Sequence, residues 1–243
     1  MGRLALAWLV HLYTASGTVI AFATLLRIEQ KDFQSAFWLM ALSVVVDATD
    51  GTLARAAHVK QLIPQFDGDR LEDIVDYANY VIVPSFFLIH ANVLPPQDAV
   101  WIASLPLIAS AYGFCQKQAK TADHFFLGFP SYWNIFVFYF FVLQTPVWIN
   151  GFAVIILSIL VFVPIRYIYP SRTPRYRALT NILGTLWAIS IVSIIYLLPE
   201  PPRSLLFASL IFPAYYTILS FWLEWDRFTS ARAKTTDSGS PLV

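Results

Sequence analysis

Seven of the chain's 15 acidic residues fall in one 30-residue stretch: Asp47, Asp50, Asp67, Asp69, Glu72, Asp73 and Asp76. On helices, Asp47 and Asp50 stand three apart and Glu72 and Asp76 four apart, so each pair shares one face. Four convergent carboxylates with no His or Cys among them make an all-oxygen site. That donor set suits Mg²⁺, Mn²⁺ or Ca²⁺ and argues against structural zinc. Solvated acids flanking two helix ends would show the same residue types, so acid content alone leaves both readings open. The neighbours add to the first reading. Gly51, Ala54 and Gly68 are small enough to let a ligand approach the backbone. Arg55, one turn beyond Asp50, offers a planar fork for phosphate. Metals, an arginine and small residues together describe a pyrophosphate site.

The elements that must position these residues are membrane helices. Of the 243 residues, 58% are hydrophobic and 13% charged, against about 25% charged in an ordinary globular domain. Mean hydropathy is +0.61. A compact soluble domain, a disordered chain and a coiled coil are excluded, and a net charge of +1 argues against a nucleic-acid-binding surface. A helix needs about 20 mostly apolar residues to cross the hydrocarbon core. Runs of that kind lie at 4–26, 33–55, 71–94, 98–116, 130–148, 150–169, 178–198 and 203–225. They predict an all-α polytopic membrane protein of about eight transmembrane helices, with a single domain over 1–226 and a polar, unstructured tail over 227–243. The first run is too long for a signal peptide and is followed by Arg27 to Asp32 rather than a small-residue cleavage site, so it reads as a retained span. Pro84, Pro164 and Pro213 fall inside spans, where bilayer helices tolerate them.

Orientation follows from Lys and Arg. With the N-terminus inside, 13 of the 16 basic residues face the cytoplasm and only Arg27, Lys31 and Arg203 face out. This bias places both termini in the cytoplasm, with the acids of spans two and three at the inner surface. The two spans are joined by a short loop and should pack antiparallel, bringing the acidic faces together.

The pattern Asp47-x2-Asp50-Gly51-x2-Ala54-Arg55, then twelve residues, then Gly68-x3-Glu72-x3-Asp76 resembles the signature of the CDP-alcohol phosphotransferase family, D-x2-D-G-x2-A-R and G-x3-D-x3-D. Seven of eight fixed positions agree. The departures are the spacer, commonly eight residues, and Glu72 where the family has Asp. The extra methylene of Glu72 shifts its oxygens, so Asp73 stands as an alternative ligand. The longer spacer is similar to that of the family's choline-using bacterial branch. So are the stretches Phe129 to Asn134 and Val163 to Pro174, and eight spans with both ends inside.

The resemblance implies transfer of a phosphatidyl group from CDP-diacylglycerol to choline in a bacterial inner membrane. It implies a divalent pair, Mg²⁺ or Mn²⁺, held by Asp47, Asp50, Glu72 and Asp76, with Asp76 taking the choline hydroxyl proton. Gly51, Ala54, Arg55 and Gly68 would line the nucleotide and its phosphates. Membrane lipids are expected partners, nucleic acid is not, and homodimers are common in the family. Arg166 lies in an apolar run and is expected to meet the lipid-side phosphate, whereas Arg172, Arg175 and Arg177 read as topology-setting charge. Choline's quaternary ammonium calls for aromatic faces. Tyr132 and Trp133 open span five on the cytoplasmic side, and Tyr77, with Tyr80, follows the acids. His11 reads as a buried, hydrogen-bonded residue in preference to a nucleotide contact, and Cys115 as a small core residue. Within the family, serine, inositol or glycerol phosphate is the rival acceptor. A cation-coupled transporter is the rival from another class, although the acids lie at the membrane edge rather than the midplane.

Overall fold

The computed structural model describes residues 2–117, 121, 125–169 and 176–237. Among them the chain is nearly all helix, arranged as eight rods: α1 Gly2–Glu29, α2 Phe33–Ala56, a rod of α4 Gly68–Tyr77 and α5 Val83–His90, α6 Ala99–Phe114, α7 Trp133–Val142, α8 Val147–Leu160, α9 Arg177–Tyr196, and a rod of α10 Arg203–Ser209 and α11 Ile211–Asp237. A single turn, α3 Val59–Leu62, lies between α2 and α4. Four rods are long and apolar enough to cross a bilayer by themselves: α1, α2, α9 and the Arg203–Arg227 stretch. Large apolar side chains such as Leu12, Trp101, Ile108 and Trp148 are exposed, the surface a bilayer covers. The protein is an all-α polytopic membrane protein.

α1 and α2 form the base of the site. Lys31 turns the chain in the left-handed region at φ 58°, and Asp32 caps α2 by accepting from the Ser35 backbone N–H at 3.2 Å. That bond, with Arg27 at 3.4 Å, holds the Asp32 carboxyl below the usual carboxylate range. α2 ends at Ala56, where His58 enters the left-handed region at φ 50°. Asp67 then caps α4 through the Arg70 backbone N–H at 3.1 Å. Without that cap the first turn of α4 would leave its N–H groups unpaired.

α4 and α5 are joined by a π-helical turn, Ala78–Ile82. The cause is local. Pro84 has no N–H to offer the Tyr80 carbonyl one turn back, so the ladder widens there instead of breaking. The Asn79 side-chain amide fixes the widened turn, donating to the Gly17 carbonyl of α1 at 3.0 Å and to the Val75 carbonyl at 2.9 Å. Gly17 is required for this approach, because a Cβ there would collide with Val75.

Some expected spans differ from the observed helices. The 150–169 run is helical only to Leu160. Pro164 cannot donate to a helix, and the chain beyond it forms a strand, β2 Arg166–Ile168, antiparallel to β1 Phe125–Leu127. The Phe129 N–H caps the Leu160 carbonyl at 3.0 Å. Gly128 sits at φ +82° against the Val161 carbonyl, a place no side chain fits. The 203–225 run is divided after Ser209, four residues before Pro213, and its helix runs past Trp225 to Asp237 rather than giving way to an unstructured tail. Helix formers among Ala231, Arg232, Ala233 and Lys234 account for that extension. Residues 238–243 lie outside the described residues.

Polar ties lock the rods. The Tyr139 hydroxyl donates to the Ser209 carbonyl at 3.0 Å and accepts from the Trp187 indole at 2.9 Å, linking α7, α9 and α10. Gln34 donates to the Ile195 carbonyl at 2.8 Å, joining the start of α2 to the end of α9. The ribbon is docked on α11: the Ile168 N–H donates to the Ser220 hydroxyl and the Tyr216 hydroxyl to the Ile168 carbonyl, each at 3.1 Å.

Candidate active site

The acidic faces of α2 and α4 meet. One carboxylate oxygen from each of Asp47, Glu72 and Asp76 lies within 4.8 Å of the others, and all three residues are half-buried. Asp50, one turn beyond Asp47, stands outside that triplet but is only 5% exposed. It makes no hydrogen bond or ion pair among the described residues. A buried carboxylate without a donor is costly, and its cost is offset where a cation completes the site. The donor set is all oxygen, so the residues present fit a hard divalent ion.

The other acids of the stretch have separate partners or faces. Asp73 points out to solvent, whereas its neighbour Glu72 is half-buried within the triplet. Asp67 is the α4 cap and pairs with Arg70 at 3.2 Å. Asp69 pairs with Lys60 at 2.7 Å, and that carboxylate raises the Lys60 ammonium above its usual range.

The expected nucleotide-binding positions divide into two kinds. Gly51 faces open space apart from the flexible end of Arg55, which an added Cβ would meet at 3.4 Å. Arg55 is exposed and held by its own helix, donating to the Thr52 hydroxyl at 3.0 Å. Both leave room for a ligand. Ala54 and Gly68 have packing reasons to be small. Ala54 lies against the buried cluster of Ala7, Val10, Ala57, Val59 and Ile63. A Cβ on Gly68 would come within 2.9 Å of the His11 ring. His11 is buried, as expected, but its Nε2 has no hydrogen-bond partner among the described residues; the ring packs edge-on to Trp8 and tilted against Phe66.

The aromatic positions diverge too. Trp133 is 1% exposed, and its indole N–H donates to the Ser110 hydroxyl at 2.8 Å. Tyr77 donates to the Leu107 carbonyl at 2.8 Å and packs edge-on against Phe114. Both are tied to α6. Tyr80, carried by the π turn, donates to Asp47 Oδ2 at 2.9 Å, which makes it the aromatic residue joined to the acids. Tyr132 packs against Phe126 and Tyr216. Arg166 sits on β2 opposite Leu127, so strand alternation sets it on the other face of the ribbon from Phe126 and Tyr167. Arg177 opens α9 and is exposed. Arg172 and Arg175 lie outside the described residues. Cys115 is exposed rather than in the core, because α6 ends at Phe114 and leaves it in the turn.

With this geometry in view, comparison with known proteins is decisive. A protein of Legionella pneumophila called phosphatidylcholine synthase is 42% identical over 237 residues, covering 95% of this chain and 92% of its own length. The chain belongs to the phosphatidylcholine synthases of the CDP-alcohol phosphotransferase family. Members with the same name in Borreliella burgdorferi and Pseudomonas aeruginosa are 36% and 33% identical, covering 92% and 90% of this chain and 96% and 93% of their own lengths. No protein-family profile matches the chain.

Phe126 and Tyr216, which pack on Tyr132, and Tyr169, which packs on Phe126, are residues that the sequence did not single out. They come from a ribbon and a helix remote from the acids in the chain. Only the stretch Val163 to Pro174, read as typical of the branch, hinted at that region.

Proposed function

We propose that the protein transfers the phosphatidyl group of CDP-diacylglycerol to choline, releasing phosphatidylcholine and CMP. The observation that carries this reading is the convergence of Asp47, Glu72 and Asp76 beside buried Asp50, in a chain 42% identical to a protein called phosphatidylcholine synthase. Asp47, Asp50, Glu72 and Asp76 would hold two divalent cations, which supply charge neutralisation at the pyrophosphate. Arg55 offers its fork to the nucleotide-side phosphates, with Gly51 leaving the space. Arg166 serves the lipid-side phosphate. Asp76 accepts the choline hydroxyl proton as that oxygen bonds to the lipid-side phosphorus. The bond from that phosphorus to the bridging oxygen breaks, and CMP departs with the electron pair.

A carboxylate is a weak base for an alcohol, so most of the barrier reduction falls to positioning and electrostatics. The same reading places the protein in a bacterial inner membrane with both termini cytoplasmic, which terminal reporter fusions would test. The activity itself is tested by incubating purified protein with CDP-diacylglycerol and one candidate alcohol at a time. Choline-dependent CMP release is the expected result. Release with serine, inositol or glycerol phosphate but not choline would overturn the acceptor.

A further inference from the structure

Five aromatic rings from four separate parts of the chain form a connected group that reaches the triplet of acids through Tyr80. Tyr80 is anchored to Asp47 by its hydroxyl at 2.9 Å. Tyr132 lies within electrostatic reach of Tyr80 and of Asp47. Tyr216 of α11 lies 6.1 Å from Tyr132, ring centre to ring centre, at 66°. Phe126 of β1 lies 6.3 Å from Tyr132 at 86° and 4.7 Å from Tyr169 at 30°. All five are half-buried, unlike the sealed Trp133, so each keeps some face for a ligand.

We infer that Tyr80, Phe126, Tyr132, Tyr169 and Tyr216 form the pocket for the acceptor's quaternary ammonium. This rests on the reading above and names the residues that choose choline. The chemistry is specific. A trimethylammonium has no N–H to donate, so a hydrogen-bonding pocket gains nothing from it, whereas ring faces attract it. In the edge-to-face pairs Tyr132–Phe126 and Tyr132–Tyr216 one ring presents its edge, so that partner leaves its faces uncovered. The carboxylates beyond Tyr80 add favourable charge at short range. Choline's hydroxyl lies only two carbons from its nitrogen. A cation held against Tyr132 therefore keeps that hydroxyl beside Asp47 and Asp76, where the reaction needs it.

The test compares choline with 3,3-dimethylbutan-1-ol, its uncharged isostere, as acceptors in the CMP-release assay. Tyr132→Ala and Tyr216→Ala should each raise the KM for choline by about tenfold or more, equivalent to about 1.4 kcal/mol. The KM for CDP-diacylglycerol should stay within about twofold. The preference of the wild type for choline over the isostere should shrink in the same proportion. Tyr132→Phe keeps the ring and guards against a variant that fails to fold; its choline KM should fall between wild type and Tyr132→Ala. Equal losses with both acceptors would show a structural role and overturn the pocket. An unchanged choline KM in a folded Tyr132→Ala protein, with wild type active on choline, would overturn the pocket alone. Wild-type protein that uses serine and refuses choline would instead remove the acceptor reading, and the pocket with it.

Discussion

At the scale of single residues, the acids divide by burial and direction rather than by type. Asp47→Ala and Asp50→Ala should each reduce CMP release to background without unfolding the protein. In the absence of a divalent ion, Asp50→Ala should melt no lower than wild type, because it removes a buried carboxylate that has no donor among the described residues. Retained turnover in either variant would contradict a metal held by both. Glu72 and Asp73 form the more informative pair. Glu72→Ala should eliminate turnover and Glu72→Asp should preserve much of it, whereas Asp73→Ala should retain most of the wild-type turnover, since the carboxylate that joins Asp47 and Asp76 is that of Glu72. An inactive Asp73→Ala beside an active Glu72→Ala would reverse the assignment. Trp133 is the opposite case. Its sequence position suggested a choline face, but a side chain 1% exposed and bonded to Ser110 has no face to offer. Trp133→Ala should cost about 3–5 kcal/mol of stability and lower the melting temperature, without a selective rise in the choline KM of whatever protein remains folded.

At the scale of elements, the π turn is the part that makes one helix serve two tasks. α4 lines the acids, and the widened ladder then rotates the chain so that Tyr80 reaches back to Asp47 while Asn79 grips α1. That grip depends on the absent Cβ of Gly17. Gly17→Ala should therefore force α1 and α4 apart, costing about 1–3 kcal/mol and lowering turnover through displaced acids. Thermal melting together with the activity of the variant would check both effects. Unchanged melting would show that α1 yields easily. These contacts also show what could be read in advance. The acidic pattern was legible because helical spacing is a local property: residues three and four apart share a face whatever lies around them. Span positions were legible because apolar length is local too. The strand at Arg166–Ile168 was not, because its apolar run looks like any other until Phe129 and Gly128 are seen to meet Leu160 and Val161. Nor could periodicity show that Trp133 turns toward Ser110 while Tyr132, its neighbour, turns toward Tyr216.

At the scale of the whole molecule, the rods are bound by aromatic packing and a few buried polar ties, and the acids sit where α2 meets α4, both packed on α1. The fold therefore does not depend on a cation for its integrity. EDTA treatment of purified protein should abolish CMP release while leaving helical content intact, and Mg²⁺ or Mn²⁺ should restore turnover. Loss of helical signal on chelation would show instead that the ion is structural, and EDTA-resistant turnover would exclude it from the reaction.

The β1–β2 ribbon carries a wider meaning. It is pinned to α11 by Ser220 and Tyr216 and contributes Phe126, yet it shares no segment with the helices that bear the acids. Apart from Tyr80, which follows α4 directly and bonds Asp47, the rings proposed to read the alcohol lie on other stretches of chain than those that bear the acids. If those rings read the alcohol, substitutions in the ribbon and on α11 would redirect which alcohol is accepted while the acids stay untouched. A lineage can in this way diversify its products one headgroup at a time without passing through an inactive ancestor.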